Sequence, residues 1–287
     1  MNRKDAPKDA ILKGVCTKFI DENGLVYAVS EDGNRLNVIT RTKNEAIAEG
    51  ILIATHPVII GKQDAISTNL EDLTELDVDI TPVPASAISL ELLSSVTTDN
   101  AAGDGARTVK VYGLDTDFNE IEETVILNGT TAVDLTLLFR RINALHVVTN
   151  GVANGGTADG TLTLRGVGGG TEFNRIEAGG NMSRSCFFTI PANKTGFITS
   201  WSAGLLTNNT DTTGVAILRA TCEWKSRALI EGVFLFQDII LGEIGTVKKE
   251  LSRPLKLPAK CDVKISVQKL GGAGDMFAGG NIELHYE

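Results

Sequence analysis

Histidine is scarce in this 287-residue chain, which carries His56, His146 and His285 alone. No two of them lie at helical or strand-neighbour spacing, so neither a zinc site nor a serine–histidine–aspartate relay can be read from the sequence. Cysteine is nearly as rare. Cys16, Cys186, Cys222 and Cys261 are scattered without a C-x-x-C pair, which excludes zinc ribbons and redox pairs, and a chain of this length needs no disulfide framework. Buried, reduced thiols are expected. A net positive charge is also lacking. A formal charge of −9 and a pI near 5.0 argue against a nucleic-acid partner, because counterion release needs Lys and Arg gathered on one face. No apolar run approaches the roughly 18–20 residues of a membrane span, and the opening MNRKDAPKDAILK puts charges where a signal peptide needs an apolar core. Neither secretion nor membrane insertion is expected, so the sequons at Asn128, Asn193 and Asn208 carry little meaning.

What is present is glycine, 30 residues against 7 prolines, with Thr and Val recurring throughout. That mixture favours short strands joined by tight turns. The predicted fold class is all-β: a small N-terminal β-meander and an extended linker, followed by two β-sandwich or jelly-roll-like domains. In residues 1–60, apolar-alternating runs at 15–20, 25–30 and 35–40 are separated by Asp21-Glu22-Asn23-Gly24 and Glu31-Asp32-Gly33-Asn34, the chemistry of hairpin turns. Residues 43–49 are rich in helix formers and predict one or two helical turns. So small a sheet is marginal alone and needs something to pack on. Residues 61–84 lose periodicity, are acidic, and end in Pro82 and Pro84, which reads as an extended acidic linker or arm. Strands are predicted at 88–96, 108–112, 121–127, 135–149 with a break, 161–165 and 172–176, a spacing that suits a sandwich over 85–178. A second set at 186–190, 196–206, 214–224, 232–241, 246–251, 262–269 and 280–286 makes a jelly-roll-like domain over 179–287.

Several patterns resemble functional motifs and fail on inspection. Asp115, Asp117 and Asn119 open like a calcium loop, but Glu120 stands where the loop needs Gly and Ile126 where it needs Glu. They are the one weak metal candidate; no other metal, catalytic or cofactor-binding residue is predicted, and no cofactor. The glycines of Gly166-x-Gly168-Gly169-Gly170 lack the last glycine of a phosphate loop and a following helix, and read as a mobile hinge between the two β domains. Lys194-Thr195 lacks the glycines of a P-loop, and residues 199–204 lack the first glycine of a nucleophile elbow. His146 reads as a satisfied strand residue, and Trp201 and Trp224 with their neighbouring phenylalanines as core. Lys248, Lys249 and the basic residues from Arg253 to Lys260 alternate with leucines as a solvated strand face does.

Residues 94–131, SSVTTDNAAGDGARTVKVYGLDTDFNEIEETVILNGTT, followed by Phe139-Arg140-Arg141-Ile142-Asn143 and later by Thr189-Ile190-Pro191-Ala192-Asn193-Lys194-Thr195-Gly196-Phe197-Ile198-Thr199, resemble a family of tailed-bacteriophage virion structural proteins found widely in environmental phages. The resemblance covers about residues 85–287. It implies a non-enzymatic role in the virion, as capsid decoration, head fibre or tail-associated protein, made in the host bacterial cytoplasm. It also implies assembly with itself, commonly as a homotrimer, and with other virion proteins such as major capsid or tail proteins. Residues 1–60, with the arm, would then be the virion anchor. A receptor- or glycan-binding module is the alternative, with residues 207–213, TNNTDTT, as its visible candidate.

Overall fold

The computed structural model describes residue 55 and residues 57–287 apart from 77, 152–154, 209–211, 223–235 and 243–244, together with the backbone of three short strands before residue 55; the side chains of 222 and 236–242 lie outside the described residues. Every regular element among the described residues is a β-strand, as the composition predicts. The chain divides into two compact units, Met1–Thr55 and His56–Glu287. In the first, β1 (Lys18–Ile20), β2 (Val26–Val29) and β3 (Leu36–Asn37) form an antiparallel sheet in that order. It is the predicted meander, with Phe19 opposite Tyr27 and Ala28 opposite Asn37. The helical turns predicted at 43–49 fall outside the described residues.

The second unit opens with β4 (Ile59–Gln63) and β5 (Glu71–Asp72). A first sandwich follows: β6 (Ile88–Ser94), β7 (Ala106–Leu114), β8 (Glu120–Ile126), β9 (Val133–Phe139), β10 (Arg141–Asn150), β11 (Leu162–Gly166) and β12 (Glu172–Ile176). Its two sheets run β10-β7-β8 and β12-β11-β6-β9. Alternation along the strands sends Leu90, Leu92, Val109, Val111, Leu145 and Leu164 into one shared core. The predicted break in 135–149 falls at Arg140, where the chain leaves one sheet for the other.

The second sandwich contains β13 (Phe187–Thr189), β14 (Gly196–Thr207), β15 (Thr213–Cys222), β16 (Phe236–Gly242), β17 (Gly245–Leu257), β18 (Cys261–Gly271) and β19 (Met276–Tyr286). Its sheets run β13-β18-β15-β16 and β17-β14-β19-β4, and β5 also pairs with β18. The core between them holds Trp201, Ile198, Leu218, Val263, Ile265 and Leu284. Trp201 has no exposed surface, and burying so large a ring supports both sheets at once.

The reading of 61–84 as an extended acidic linker or arm is corrected where the stretch pairs as strands. β4 lies beside the C-terminal strand, with Gly61 opposite Gly280, and β5 lies on β18, with Asp72 opposite Ser266. Leu73 and Leu76 are fully buried. Of the acidic residues that suggested a solvated arm, Asp72 is fully partnered: it accepts from Lys264 Nζ at 2.8 Å, Ser266 Oγ at 2.7 Å and the Thr81 amide at 2.8 Å. Gly61 is required by the crossing of this strap, because a Cβ there would lie 2.4 Å from the Leu73 carbonyl oxygen and 2.6 Å from the Cys186 amide nitrogen.

The glycine stretch at 166–170 is corrected too. It is the tight turn of the β11–β12 hairpin inside the first sandwich, not a hinge between sandwiches. Gly168 and Gly169 take the left-handed conformation at φ 81° and 79°, which glycine adopts without penalty. That turn aims two amides at the buried Glu91, whose carboxylate accepts from Gly168 at 2.9 Å, Gly169 at 3.1 Å and Arg165 Nε at 2.6 Å. The Gly168 amide is the largest influence on Glu91 and, with Arg165 and Gly169, outweighs burial to hold its carboxyl below the ordinary range. Glu91 therefore adds stability that is present above the usual glutamate pKa of about 4.3 and is lost as pH falls through the depressed folded value. Glu91→Gln should cost about 2 kcal/mol at pH 7. Urea titrations at pH 7 and pH 3 test this: the difference between wild type and variant should shrink at the lower pH, and a constant difference would contradict it.

Candidate functional site at the seam between the sandwiches

The three stretches that carry the family resemblance, far apart in sequence, meet where the two sandwiches join. Arg141, the first residue of β10, is buried and donates from Nε to Asp262 Oδ1 at 3.0 Å and from Nη2 to Oδ2 at 3.2 Å. Its Nη1 also donates to the Pro84 and Arg140 carbonyls at 3.2 and 3.0 Å. Asp262 lies on β18 of the second sandwich, so this two-pronged pair crosses the seam. Thr189 Oγ1 donates to the same Asp262 oxygen at 2.6 Å. Beside it, Asn143 and Thr189 exchange bonds, with the Thr189 amide donating to Asn143 Oδ1 at 3.0 Å and Asn143 Nδ2 to the Thr189 carbonyl at 3.3 Å.

The β7–β8 turn supplies the next contacts. Phe118 is 2% exposed and sits at φ 70°, with Arg140, Arg141 and Lys260 cations 5.0, 5.1 and 5.2 Å from its ring centre. Its carbonyl accepts from the Ala192 amide at 2.7 Å, and Tyr286 donates its hydroxyl to Glu120. Phe118, Asn193 and Lys260 are the non-glycine residues with positive φ among the described residues, and all three lie in turns at this seam. Each costs about 1–3 kcal/mol of backbone strain and persists only where its surroundings hold it.

Asp115, Asp117 and Asn119, the weak metal candidate, form this turn. Asp115 Oδ1 accepts from the amides of Asp117 at 2.8 Å and Asn119 at 2.9 Å, and Oδ2 from Asn119 Nδ2 at 3.1 Å. Burial alone would raise the Asp115 pKa; bonds from the Asn119 side chain and from the turn amides reverse it, and the carboxyl lies below its ordinary value. An aspartate so occupied serves as a turn cap. Among the described residues no group of three or more His, Cys, Asp or Glu is placed to hold a metal ion.

The remaining signature residues also have packing roles. A Cβ on Gly113 would lie 2.2 Å from the Arg141 carbonyl oxygen, and one on Gly196 would lie 2.5 Å from Ile190 Cδ1. The AAGDGAR stretch wraps Asp99, a fully buried carboxylate that accepts from Ser94 Oγ at 2.6 Å and from the amides of Ala106, Asp159 and Gly160 at 2.7–2.9 Å. Sequence inspection missed Asp99, Asp262 and Glu91 because their partners are distant in the chain. For Asp99 the nearby Gly103 and Gly105 were the available signal.

A second polar contact closes the seam elsewhere. Lys62 of β4 meets Glu177, just past β12, at 2.5 Å, and Asp64 at 3.0 Å. Glu75, on the strap, stands 3.9 Å from Lys62 and 3.6 Å from Arg184. The histidines stay apart: His146 lies edge-on to Tyr112 at 5.2 Å, His285 stacks on Phe197 at 5.2 Å, and His56 lies outside the described residues. Burial lowers the His146 pKa. Cys186 and Cys261 are buried free thiols, burial pushes the Cys186 pKa up, and the side chains of Cys16 and Cys222 lie outside the described residues. Lys248, Arg253, Lys256 and Lys260 are exposed as predicted, and the Lys260 ammonium also lies over the Phe118 ring.

No family model matches the chain, and no curated protein does. Among solved structures, the VP2 subviral particle of infectious bursal disease virus aligns over 81% of this chain and 71% of that one, at 9% identity and a TM-score of 0.20. The Gx strain of the same virus aligns over 81% of this chain and 72% of that one, at 9% identity and a TM-score of 0.23. Scores this low do not establish a shared fold, and the architecture described above stands on its own strand pairing.

Proposed function

We propose that the chain is a non-enzymatic structural component of a tailed-bacteriophage virion, decorating or projecting from the capsid or tail, and made in the cytoplasm of a host bacterium. The observation that carries this reading is the use to which the signature residues are put: Arg141, Asn143, Thr189, Glu120 and the glycines around them hold turns and fasten one sandwich to the other. Such investment in rigidity suits a building block more than a catalyst. Under this reading the chain works as a homotrimer in contact with major capsid or tail proteins, a proposal prompted by the apolar series at 228–241. Residues 1–55 serve as the virion attachment. Negative-stain images of virions carrying an antibody to this chain should place the label on one virion substructure, and the purified protein should sediment as a multiple of 30.5 kDa. Unlabelled virions, a stable monomer at micromolar concentration, or turnover of polysaccharide, peptidoglycan or ester that one carboxylate or serine substitution abolishes, would each count against it.

A second reading, a receptor- or glycan-binding module, is favoured by one surface. On the outer face of the β10-β7-β8 sheet, Tyr112 lies beside His146 and under Lys110, 5.6 Å from its ring centre, and Lys110 pairs with the exposed Glu122 at 2.8 Å. A ring flanked by an ammonium and a carboxylate can stack on a sugar and hydrogen-bond its hydroxyls. Retention of a saccharide by the purified chain would favour this reading. The TNNTDTT candidate falls partly outside the described residues.

A further inference from the structure

Glu75 is the least satisfied carboxylate at the seam. Its side chain is only 3% exposed, yet it accepts one weak hydrogen bond, from the Arg184 amide at 3.4 Å. The cations that face it stand off at 3.6 Å for Arg184 and 3.9 Å for Lys62. Lys62 is already engaged at shorter range by Glu177 and Asp64. The groups around Glu75 are therefore Lys62 on β4, Asp64 just beyond it, Glu177 at the end of β12 and Arg184 on the connector between the sandwiches, three carboxylates in all sharing two cations. The backbone at this point joins strap to connector: the Glu75 amide donates to the Arg184 carbonyl at 3.1 Å and the Cys186 amide to the Leu73 carbonyl at 2.7 Å, and Thr74 bridges Ser185.

We infer that Glu75 makes this strap-to-connector contact a pH-responsive latch, tight when its carboxyl is protonated and loosened when it ionises. Burial is the main reason that the ionised form is disfavoured, and the neighbouring Glu177 charge adds to it; Arg184 and Lys62 only partly compensate, so the Glu75 pKa lies above its ordinary value. The sign is opposite to that of Glu91. When the contact opens, Glu75 reaches water and regains an ordinary pKa, so the closed state is favoured fully below about pH 4.3 and progressively less as pH rises through the raised closed-state value. The inference concerns the seam alone and does not depend on the virion role.

Hydrogen exchange measured by mass spectrometry on the full chain, over peptides covering 73–76 and 183–186, tests it. Wild type and Glu75→Gln are compared at each pH from 4 to 8, so that the intrinsic pH dependence of exchange cancels. The expected result is equal rates near pH 4 and a several-fold faster exchange in wild type by pH 8. Glu177→Gln, which removes the neighbouring charge from a more exposed site, should give a smaller difference from its own Glu75→Gln double variant. A wild-type to Glu75→Gln ratio that stays flat with pH, or falls below one at pH 8, overturns the latch. If Glu75→Gln does not fold, wild type and Glu177→Gln are compared directly: faster wild-type exchange at pH 8 but not at pH 4 supports it, and equal exchange at both overturns it.

Discussion

A chain lacking residues 1–84 should fail to form its second sandwich, whereas a chain lacking only residues 1–55 should fold. The shorter truncation leaves the compact His56–Glu287 unit whole. The longer one strips β4 from the edge of β19 and β5 from β18, removes Ile59, Ile66 and Leu73 from the core, and leaves Lys264 without Asp72. Truncating one buried leucine typically costs about 2–5 kcal/mol, and total stability for a domain is only about 5–15 kcal/mol. Several such losses exceed it. Circular dichroism and size-exclusion of the two fragments provide the check: a soluble, cooperatively unfolding fragment of residues 85–287 would show that the strap is dispensable.

Arg141→Ala should be the most damaging single change at the seam. It leaves the largely buried Asp262 without its two-pronged partner and strips the Pro84 and Arg140 carbonyls of a donor. Breaking a buried pair on one side costs about 3–5 kcal/mol, because the surviving charge loses its ionic partner and Asp262 keeps only the Thr189 hydroxyl. At about 2–4 °C per kcal/mol for a unit of this size, that is roughly a 10 °C fall in melting temperature. Arg141→Lys should rescue little, since an ammonium cannot reproduce the planar fork. The pair Arg141→Leu with Asp262→Leu separates the mechanisms: the double variant should be less destabilised than the sum of the singles, and strict additivity would mean that the two residues act independently.

The strands were legible because alternation with period two leaves a local mark. The runs at 121–127, 172–176 and 262–269 emerge as β8, β12 and β18 to within a residue or two. The strap was not legible for the same reason in reverse: its paired pieces are five and two residues long, too short for alternation to register, and its acids looked solvated when their partners lie near the other end of the chain. The glycines at 166–170 were recognised as special, but sequence gives no means of telling a hinge from a tight turn that points its amides at Glu91. At the seam, the motif residues themselves were conspicuous in the sequence. Their shared destination was not, because Arg141 and Asp262 are joined only by the folded topology.

The pairing of β4 with β19 has a consequence for how the protein is made. The strands of the first sandwich pair with one another, all within residues 88–176, so that half can assemble as soon as its own residues have left the ribosome. The second half cannot. Gly61 must wait for Gly280, and while it waits the apolar side of the strap, Ile59, Ile66, Leu73 and Leu76, has no covering. Closing so long a loop is slow, and at synthesis rates of about 5–20 residues per second the strap stays uncovered for on the order of 10 seconds or more. Neighbouring nascent chains on one message would carry the same uncovered strap at the same time, which makes synthesis the period when pairing between the wrong copies is most open to this protein.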